Sequence, residues 1–311
     1  MFIPQVAILM GTFNGAAYLE EQLVSIAAQT HGAWTLWVSD DGSSDDTCAI
    51  LEKYRHRWGP GRLHRLSGPR QGFCANFLSL AASSAIKADY YAWADQDDIW
   101  LPEKLTRALA LSAEHANSEN RPVLYGGRTI LTDEKNRAYG LSPLLNKRPT
   151  DFSNALLQSV AGGNTMVFNQ PARRLISLGY GLTLVSHDWW AYMMISGCGG
   201  RVIYDPEPMM RYRQHAGNQI GSNLSLTAKV SRLRAFANGR YRRWNETNLA
   251  ALEQVRGHLT PANQAQLDFF INLRRASRAD RRLKMFLKSG LYRQNWADNL
   301  ALLAAAALRL L

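Results

Sequence analysis

Residues 91–100 place three carboxylates, Asp95, Asp97 and Asp98, directly behind an aromatic and apolar run that is typical of a buried strand. Carboxylates grouped at the end of a strand are costly unless a cation compensates their charge. A hard divalent ion, held by one or two carboxylates together with phosphate oxygens and water, would do so and is a common means of binding a diphosphate. The alternative is a solvated acidic turn before a helix, because Pro102 suits a helix start.

Two more polar turns follow apolar runs that predict strands. Thr12 and Asn14 follow the first run, and Asp40 and Asp41 follow the second. Because the carboxyl ends of parallel strands meet at one edge of an open α/β sheet, we expect all three turns to line one nucleotide-binding crevice. The sequence contains neither G-x-G-x-x-G nor G-x-x-x-x-G-K-[ST]. We therefore expect a metal, and not a glycine-rich loop, to hold the diphosphate.

Several motifs follow one another in order over about residues 4–222. They are Thr12–Asn14, Ser39–Ser43, Asp95–Trp100, Gly162–Met166, His187–Trp190, and Tyr212–His215 with Asn218 and Gly221. They resemble the inverting nucleotide-sugar glycosyltransferases of family 2, which have the GT-A fold, and their order resembles the bacterial rhamnosyltransferase-like subgroup. The resemblance implies an α/β fold with a Rossmann-like mixed sheet. It places a nucleotide-binding half at about 1–115 and an acceptor half at 116–222, followed by a helical C-terminal region at 223–311.

The resemblance also implies which residues bind the donor and a divalent metal, Mn²⁺ or Mg²⁺. The expected nucleotide-sugar-binding residues are Thr12, Asn14, Asp40, Asp41, Arg70, Asp95 and Arg213. Asp40 would accept a hydrogen bond from a uracil or thymine ring. Arg70 is expected to reach the nucleotide or its phosphates, and the alternative is that it is an ordinary exposed arginine of a loop. Asp97 is the expected metal ligand, with Asp98 orienting the loop. His215 is expected either to complete the metal shell or to contact the diphosphate.

On the acceptor side, Asp188 matches the family's general base. Inversion requires such a base, because the attacking hydroxyl is a poor nucleophile until its proton is accepted. Gly163 and Asn164 are expected to approach the acceptor, with a plain β-turn as the alternative. Trp189 and Trp190 offer flat faces for a sugar ring, although core packing at a helix start is the expectation for one of them.

The resemblance therefore implies transfer of one sugar from a dTDP- or UDP-sugar to a polysaccharide or lipid-linked glycan in bacterial cell-surface polysaccharide synthesis. L-rhamnose from dTDP-rhamnose is the favoured donor. The Q-x-x-R-W signature of processive family 2 polymerases is missing, and residues 213–215 stand in its place. One alternative is a UDP-hexose transferase of the same fold. The other is a non-catalytic nucleotide- or glycan-binding protein, against which Asp97 and Asp188 argue.

The net charge lies entirely in the C-terminal region. Residues 228–311 contain 16 Lys+Arg and 5 Asp+Glu, and 16 − 5 = +11 equals the net charge of the chain. Basic and apolar residues alternate at helical spacing from Arg274 to Lys288, and no charge occurs from Leu300 to Leu308. Such a helix suits an anionic membrane surface. The alternative is a helical tail packed on the enzyme body or on a second subunit. Nucleic acid is not expected, because no recognised motif accompanies the charge.

Composition is consistent with a cytoplasmic protein on the inner face of the plasma membrane. The 311 residues include three cysteines, Cys48, Cys74 and Cys198, without metal-ligand spacing, which favours a reducing compartment. Residues 2–10 lack a basic flank and a cleavage site, so we expect no signal peptide. No segment reaches the roughly 20 apolar residues that a membrane span needs.

Overall fold

The computed structural model describes residues 3–115, 121–215 and 239–311. Its strands are β1 (Val6–Thr12), β2 (Trp34–Asp40), β3 (Leu63–Ser67), β4 (Tyr90–Ala94), β5 (Ile99–Trp100), β6 (Val123–Gly127), β7 (Ile130–Thr132), β8 (Ala138–Leu141), β9 (Val167–Asn169), β10 (Arg201–Asp205) and β11 (Met210–Arg213). Its α-helices are α1 (Ala16–Ala27), α2 (Thr47–Trp58), α3 (Phe73–Ala82), α4 (Lys104–Ala113), α5 (Phe152–Ala155), α6 (Gln170–Ser177), α7 (His187–Gly197), α8 (Arg240–Gln254), α9 (Pro261–Arg275), α10 (Ala279–Lys288) and α11 (Trp296–Leu308).

The strands form two sheets. The larger has the order β10-β6-β9-β4-β1-β2-β3, and its strands are parallel except for β9, which runs antiparallel between β4 and β6. The smaller has the order β5-β11-β7-β8. The predicted Rossmann-like mixed sheet is therefore confirmed.

Strand β1 lies at the centre of the fold because its side chains are apolar on both faces. Ala7 and Leu9 belong to one hydrophobic cluster, whereas Val6, Ile8 and Met10 belong to a second cluster on the opposite face. Alternation with a period of two residues is what places successive side chains on opposite faces. A strand covered on both sides needs no polar face, and this explains the uninterrupted apolar run in the sequence.

Strand register brings the three predicted polar turns to one edge. Thr12 pairs with Asp40 across β1 and β2, and Met10 pairs with Ala94 across β1 and β4. Asp95 begins the turn after Ala94. The turns that follow β1, β2 and β4 therefore lie side by side, as the topology of parallel strands predicts.

The C-terminal helices pack on the α/β body. Leu267, Phe270 and Leu302 belong to the same hydrophobic cluster as Trp190 of α7. Polar contacts reinforce this packing, since the Gln294 backbone N–H donates to the side chain of Gln158 at 3.0 Å. The structure therefore shows the alternative arrangement, a helical tail packed on the body. Only the outer surface of these helices is left available to a membrane.

The expected continuous basic helix from Arg274 to Lys288 is wrong, because the structure contains two helices there. Helix α9 ends at Arg275, Ala276 has ψ 130°, and α10 begins at Ala279. The buried guanidinium of Arg282 donates to the backbone oxygens of Ala276 and Ser277, and these bonds satisfy the carbonyls at the break.

Among the described residues, no helix is both long and apolar enough to cross a membrane. The predicted boundary at residues 222 and 223 lies outside the described residues, as do Asn218 and Gly221 of the last motif.

The connection between α7 and β10 gives a test of how tightly the fold holds this helix. A Cβ atom added at Gly200 would lie 2.7 Å from the Pro122 backbone oxygen and 2.8 Å from that of Ile195. Backbone cannot move aside as a side chain can, so Gly200→Ala should lower the free energy of unfolding by about 1–3 kcal/mol. Gly32→Ala is the matched control, because a Cβ there meets nothing within 4 Å. Urea unfolding measures both, and equal stabilities would contradict the packing described.

Candidate active site

The first and second polar turns are joined through Asp40. Thr12 Oγ1 and Ser43 Oγ donate to Asp40 Oδ2 at 2.9 and 2.6 Å, and the backbone N–H groups of Gly42 and Ser43 donate to Oδ1. Burial alone would raise the pKa of Asp40, but the hydrogen bonds led by Ser43 outweigh burial and lower it. Asp40 is therefore a carboxylate whose acceptor positions are already occupied by protein donors. A nucleobase N–H would have to share or displace one of them.

Asn14 and Gln96 hold the three turns together. The Asn14 side-chain oxygen accepts from the backbone N–H of Ser44 at 2.9 Å, which joins the first and second turns. Gln96 accepts from Phe13 N at 2.9 Å and donates to Phe13 O at 3.0 Å, which joins the first and third turns. Asn14 thus helps to fix the shape of the expected donor site by holding the first and second turns together. Gln96 was not singled out from the sequence.

Asp41 orders the loop that carries Arg70. Its two carboxylate oxygens accept from the backbone N–H groups of Arg70 at 2.5 Å and Gly72 at 3.0 Å. Arg70 has φ 56°, and a Cβ atom at Gly42 would lie 3.1 Å from Arg70 Nε. The Arg70 side chain therefore lies over the second turn, beside Asp40. Its guanidinium is placed at the edge of the expected donor site.

The three carboxylates of the third turn converge. Asp95, Asp97 and Asp98 each offer one oxygen, and these oxygens lie within 4.8 Å of one another. Burial, followed by the charges of Asp97 and Asp188, raises the pKa of Asp95 to about 8, although Lys104 acts to lower it. Burial, followed by the charges of Asp97 and Asp95, also raises the pKa of Asp98 well above its usual range. The cluster cannot carry three negative charges without further positive charge.

Asp98 is the innermost of the three and is fixed by protein donors. It is 0% exposed, accepts from Asn164 Nδ2 at 2.7 Å and accepts from the backbone N–H of Arg213 at 3.2 Å. These bonds tie the third turn to the 163–165 turn and to β11. The expected orienting role of Asp98 agrees with this placement.

Lys104 supplies a buried positive charge behind the carboxylates. Its Nζ donates to the backbone oxygen of Asn164 and lies 4.2 Å from the centre of the Trp100 ring. Burial lowers the pKa of Lys104 to about 7, and the charges of Asp98 and Asp95 oppose this shift. Sequence reasoning missed this residue. The available signal was a lysine in the first turn of α4, on the face shared with Leu105 and Ala108.

Asp97 and His215 form the more accessible part of this cluster. His215 Nε2 lies 2.8 Å from Asp97 Oδ2, and the two side chains are 15% and 17% exposed. A carboxylate oxygen and an imidazole nitrogen are both ligands of Mn²⁺ and similar ions, and Mg²⁺ prefers the carboxylates. The donor set therefore fits a divalent cation, with Asp97, His215 and Asp95 as the residues that would hold it.

Arg213 is buried in protein contacts. Its guanidinium donates to the Asp97 backbone oxygen at 3.0 Å, the Glu134 backbone oxygen at 2.6 Å and the Glu21 carboxylate at 2.9 Å. Only 2% of its side chain is exposed. The structure thus places Arg213 behind the third turn, which it positions, and its expected contact with the donor stays a prediction.

Asp188 lies on the acceptor side, in the first turn of α7. Its Oδ1 accepts from Ser186 Oγ and from the backbone N–H of Trp189. The side chain is partly exposed, and its charge contributes to the raised pKa of Asp95. Asp188 is thus the neighbour in the chain of His187, which packs against the 163–165 turn that is bonded to Asp98.

His187, the neighbour of Asp188, is buried among aromatic rings. It stacks on Phe77 with ring centres 4.3 Å apart, and burial lowers its pKa to about 4. Neither ring nitrogen has a hydrogen-bond partner among the described residues. A Cβ atom at Gly163 would lie 2.3 Å from His187 Nε2, so glycine is needed there for the close approach of the 163–165 turn to α7.

The two predicted sugar-stacking residues are core residues. Trp189 and Trp190 are 5% and 0% exposed, and their indole N–H groups donate to the backbone oxygens of Ala155 and Ile176. Core packing was expected for one indole and is observed for both, so neither presents a face to a sugar. Asn164 is 5% exposed, and its side chain is directed to Asp98.

Residues 7–175 match the model of the family described as glycosyl transferase family 2. The chain belongs to this family. A protein named dTDP-rhamnosyl transferase RfbG, from Shigella flexneri, is 30% identical over 247 residues, which are 75% of this chain and 81% of that protein. The predictions of a family 2 member and of a glycosyltransferase are confirmed, and the non-catalytic alternative is set aside.

Solved glycosyltransferase structures have the same fold as this family 2 chain. S. aureus TarS in complex with UDP-GlcNAc aligns with a TM-score of 0.57 and 16% identity, over 85% of this chain and 70% of that one. The mannosyltransferase PcManGT from Pyrobaculum calidifontis, in complex with GDP-Man and Mn2+, aligns with a TM-score of 0.51 and 18% identity, over 99% of this chain and 87% of that one. The GT-A fold is confirmed.

The raised pKa of the clustered carboxylates gives a pH prediction. The pKa of Asp95 is about 8 when folded and roughly 3.9 when unfolded. Protonation of Asp95 therefore stabilises the folded protein fully when the pH is below the pKa of the unfolded state. This stabilisation is lost as the pH rises through the pKa of the folded state. Without metal, the contribution of Asp95 to stability should fall from pH 5 to 7 by about 1 kcal/mol per pH unit, while buried His187, with its pKa lowered to about 4, gives an opposite change up to about pH 6.5.

Urea unfolding in EDTA at pH 5, 6 and 7 measures this slope. Asp95→Asn should reduce the slope and leave only the contribution of Asp98. Asp46→Asn, which changes an exposed acid of the second turn, is the control and should keep the wild-type slope. Because His187 contributes to both proteins alike, equal slopes for the wild type and Asp95→Asn would contradict the burial of Asp95.

Proposed function

We propose that this glycosyltransferase transfers one sugar from a nucleotide-sugar to a glycan or lipid-linked acceptor, with a divalent metal and with inversion at the anomeric carbon. One observation carries the proposal. The carboxylate turn follows β4, which lies between β1 and β9 in the sheet, so it adjoins the turns of Thr12 and Asp40, and Asp98 is bonded to Asn164 of the turn that packs against His187, next to Asp188. A donor diphosphate at the carboxylates would have its nucleoside over the first two turns, and its sugar would face Asp188.

The metal would be held by Asp97, with His215 and Asp95 beside it. The 2.8 Å contact between His215 and Asp97 brings two ligand atoms together at the most accessible point of the cluster. A bound divalent ion would neutralise the diphosphate leaving group. PcManGT was solved with GDP-Man and Mn2+, which supports Mn²⁺ over Mg²⁺ here, as does the imidazole ligand.

Thr12, Asn14, Asp40 and Asp41 shape the nucleoside site. Arg70 is the free guanidinium nearest to this site and suits a phosphate oxygen. The named activity of the Shigella relative favours dTDP-rhamnose as donor. UDP-hexose is the second candidate, because TarS was solved with UDP-GlcNAc.

Asp188 would act as the general base. Its Oδ1 is taken by Ser186 and Trp189, which fixes the carboxylate and leaves Oδ2 to accept the proton of the acceptor hydroxyl. His187 is poorly suited to this task, since its pKa near 4 reflects burial away from the acceptor. Gly163 and Asn164 would form the floor below the acceptor.

We further propose that the enzyme works at the inner face of the plasma membrane, where lipid-linked acceptors are available. Exposed apolar side chains on the outer surface of the C-terminal helices support this, with Leu287 71% and Trp296 72% exposed. Basic residues on α10 would add attraction to anionic lipids.

A panel of UDP-, dTDP- and GDP-sugars tests donor choice by thermal shift, because a ligand that binds only the native state raises the melting temperature. We expect the largest shift with a dTDP-sugar and Mn²⁺ together, and a small shift with either alone. A larger shift with UDP-hexoses would support the second candidate, and no metal dependence would contradict the proposed site.

Asp97→Ala should remove the metal-dependent part of donor binding while the protein stays folded. The backbone oxygen of Asp97 that Arg213 binds is retained in the variant, so the third turn keeps its support. Asp46→Ala removes an exposed acid from a neighbouring turn and should bind the donor as the wild type does. If Asp97→Ala and the wild type bind equally tightly in Mn²⁺, Asp97 is not a metal ligand.

Asp188→Asn should keep donor affinity but lower turnover by roughly 10²–10⁴-fold, even at saturating substrates. Asparagine can still accept from Ser186 and Trp189, but it cannot take a proton. Asp151→Asn is the matched control, because Asp151 accepts from a helix N-terminus in the same way at α5. Turnover of Asp188→Asn within a few-fold of wild type would refute its role, and a collapse of the melting temperature would show a structural one.

A further inference from the structure

The C-terminal helices enclose a basic cavity that the proposed reaction does not use. Its volume is about 370 Å³. Among its lining residues are five arginines, Arg242, Arg274, Arg275, Arg282 and Arg309, and one acid, Glu246. The arginines come from α8, α9, α10 and the end of α11, so the cavity exists only when these helices are packed together.

Glu246 and the oxygen of Leu311, which lines the cavity and accepts from Arg274 Nε at 2.7 Å, balance only part of this charge. Glu246 lies 2.9 Å from Arg242 Nε and 3.5 Å from Arg274 Nη2. Arg282 is 5% exposed, and its bonds go to backbone oxygens, which satisfy its donors but leave its charge unbalanced. In the described parts of the chain, Arg275 and Arg309 have exposed side chains and no carboxylate within ion-pair distance.

This arrangement fits a phosphate group. The planar guanidinium donates in pairs to phosphate oxygens, and three unneutralised guanidinium groups around one cavity match the charge of a phosphate monoester. Two of these groups, Arg275 and Arg309, are free to move onto a ligand, whereas Arg282 is fixed in the wall. No aromatic ring of the described residues lines the cavity, so they offer a nucleobase no stacking surface.

An exposed apolar stripe adjoins the cavity. On α11, Trp296, Leu300 and Leu308 are 72%, 57% and 66% exposed and lie on one helix face at multiples of four residues. The stripe ends next to Arg309, which lines the cavity. Phosphate-binding side chains beside an apolar face match a lipid, whose head group is charged and whose chains are apolar.

We propose that this cavity binds the phosphate group of an anionic membrane lipid, with the α11 stripe lying against the lipid chains. The inference rests on the membrane contact proposed above and names the site and the ligand for it. It is independent of donor binding and of Asp188, because none of the cavity residues belongs to the candidate active site.

A water-soluble short-chain phosphatidic acid, used below its micelle concentration, tests the cavity by isothermal titration calorimetry. Arg275→Ala/Arg309→Ala should bind it at least 10-fold more weakly than wild type. Lys87→Ala/Lys135→Ala is the matched control, since it removes two exposed charges that lie outside the C-terminal helices and outside the cavity, and it should bind as wild type. Equal melting temperatures would show that both variants fold. Absence of binding to the wild type, or equal weakening in both variants, would overturn the proposal.

Two further arms identify the source of the phosphate group. Inorganic phosphate should bind at least 10-fold more weakly than the short-chain lipid, and comparable affinities would overturn the lipid assignment. Flotation with phosphatidylcholine vesicles, with and without phosphatidic acid, should show recovery of the wild type only with phosphatidic acid, and loss of it in the cavity variant. If the short-chain lipid binds but no vesicles are bound, the membrane contact is wrong while the cavity assignment stands.

Discussion

The convergence of three carboxylates, one fully buried and two partly buried, beside a single lysine is the constraint on which this structure depends. Asp95, Asp97 and Asp98 bring their oxygens within 4.8 Å of one another, and Lys104 is the cation placed behind them. One ammonium group cannot balance three carboxylates, and burial together with the neighbouring negative charges raises the pKa of Asp95 and Asp98, so that these two groups hold protons. A site that holds protons at neutral pH can exchange them for a divalent metal. The fold thus keeps a place for positive charge at the crevice.

The same cluster connects the donor and acceptor sides. Gln96 joins the third turn to the first, while Asp98 is joined through Asn164 to the turn that packs under His187. Asp188 follows His187 directly, and its charge reaches Asp95. A change in the charge of the cluster, on metal or donor binding, would therefore alter the position and the electrostatic surroundings of Asp188. This gives a physical reason for acceptor activation to depend on an occupied donor site.

The sequence predicted the sheet and the position of the crevice, because apolar runs that end in polar turns reflect the periodicity and topology of parallel strands. It could not show which polar side chains are used internally. Trp189 and Trp190 were expected to offer faces to a sugar but lie in the core, and Lys104, which sequence reasoning missed, lies buried beside the carboxylates. Each placement depends on how its own helix, α7 for the tryptophans and α4 for Lys104, is rotated about its axis. The break between α9 and α10 was hidden for a related reason, since the contacts of Arg282 are long-range.

Proton release on metal binding tests the central claim most directly. Calorimetric titration of the protein with Mn²⁺ at pH 6.5, in buffers of different ionisation enthalpy and with a nucleoside diphosphate present, counts the protons released. The account predicts one Mn²⁺ bound per chain with release of about one or more protons, because the metal replaces protons on the buried carboxylates. Mn²⁺ binding without proton release, or no binding at all, would contradict it.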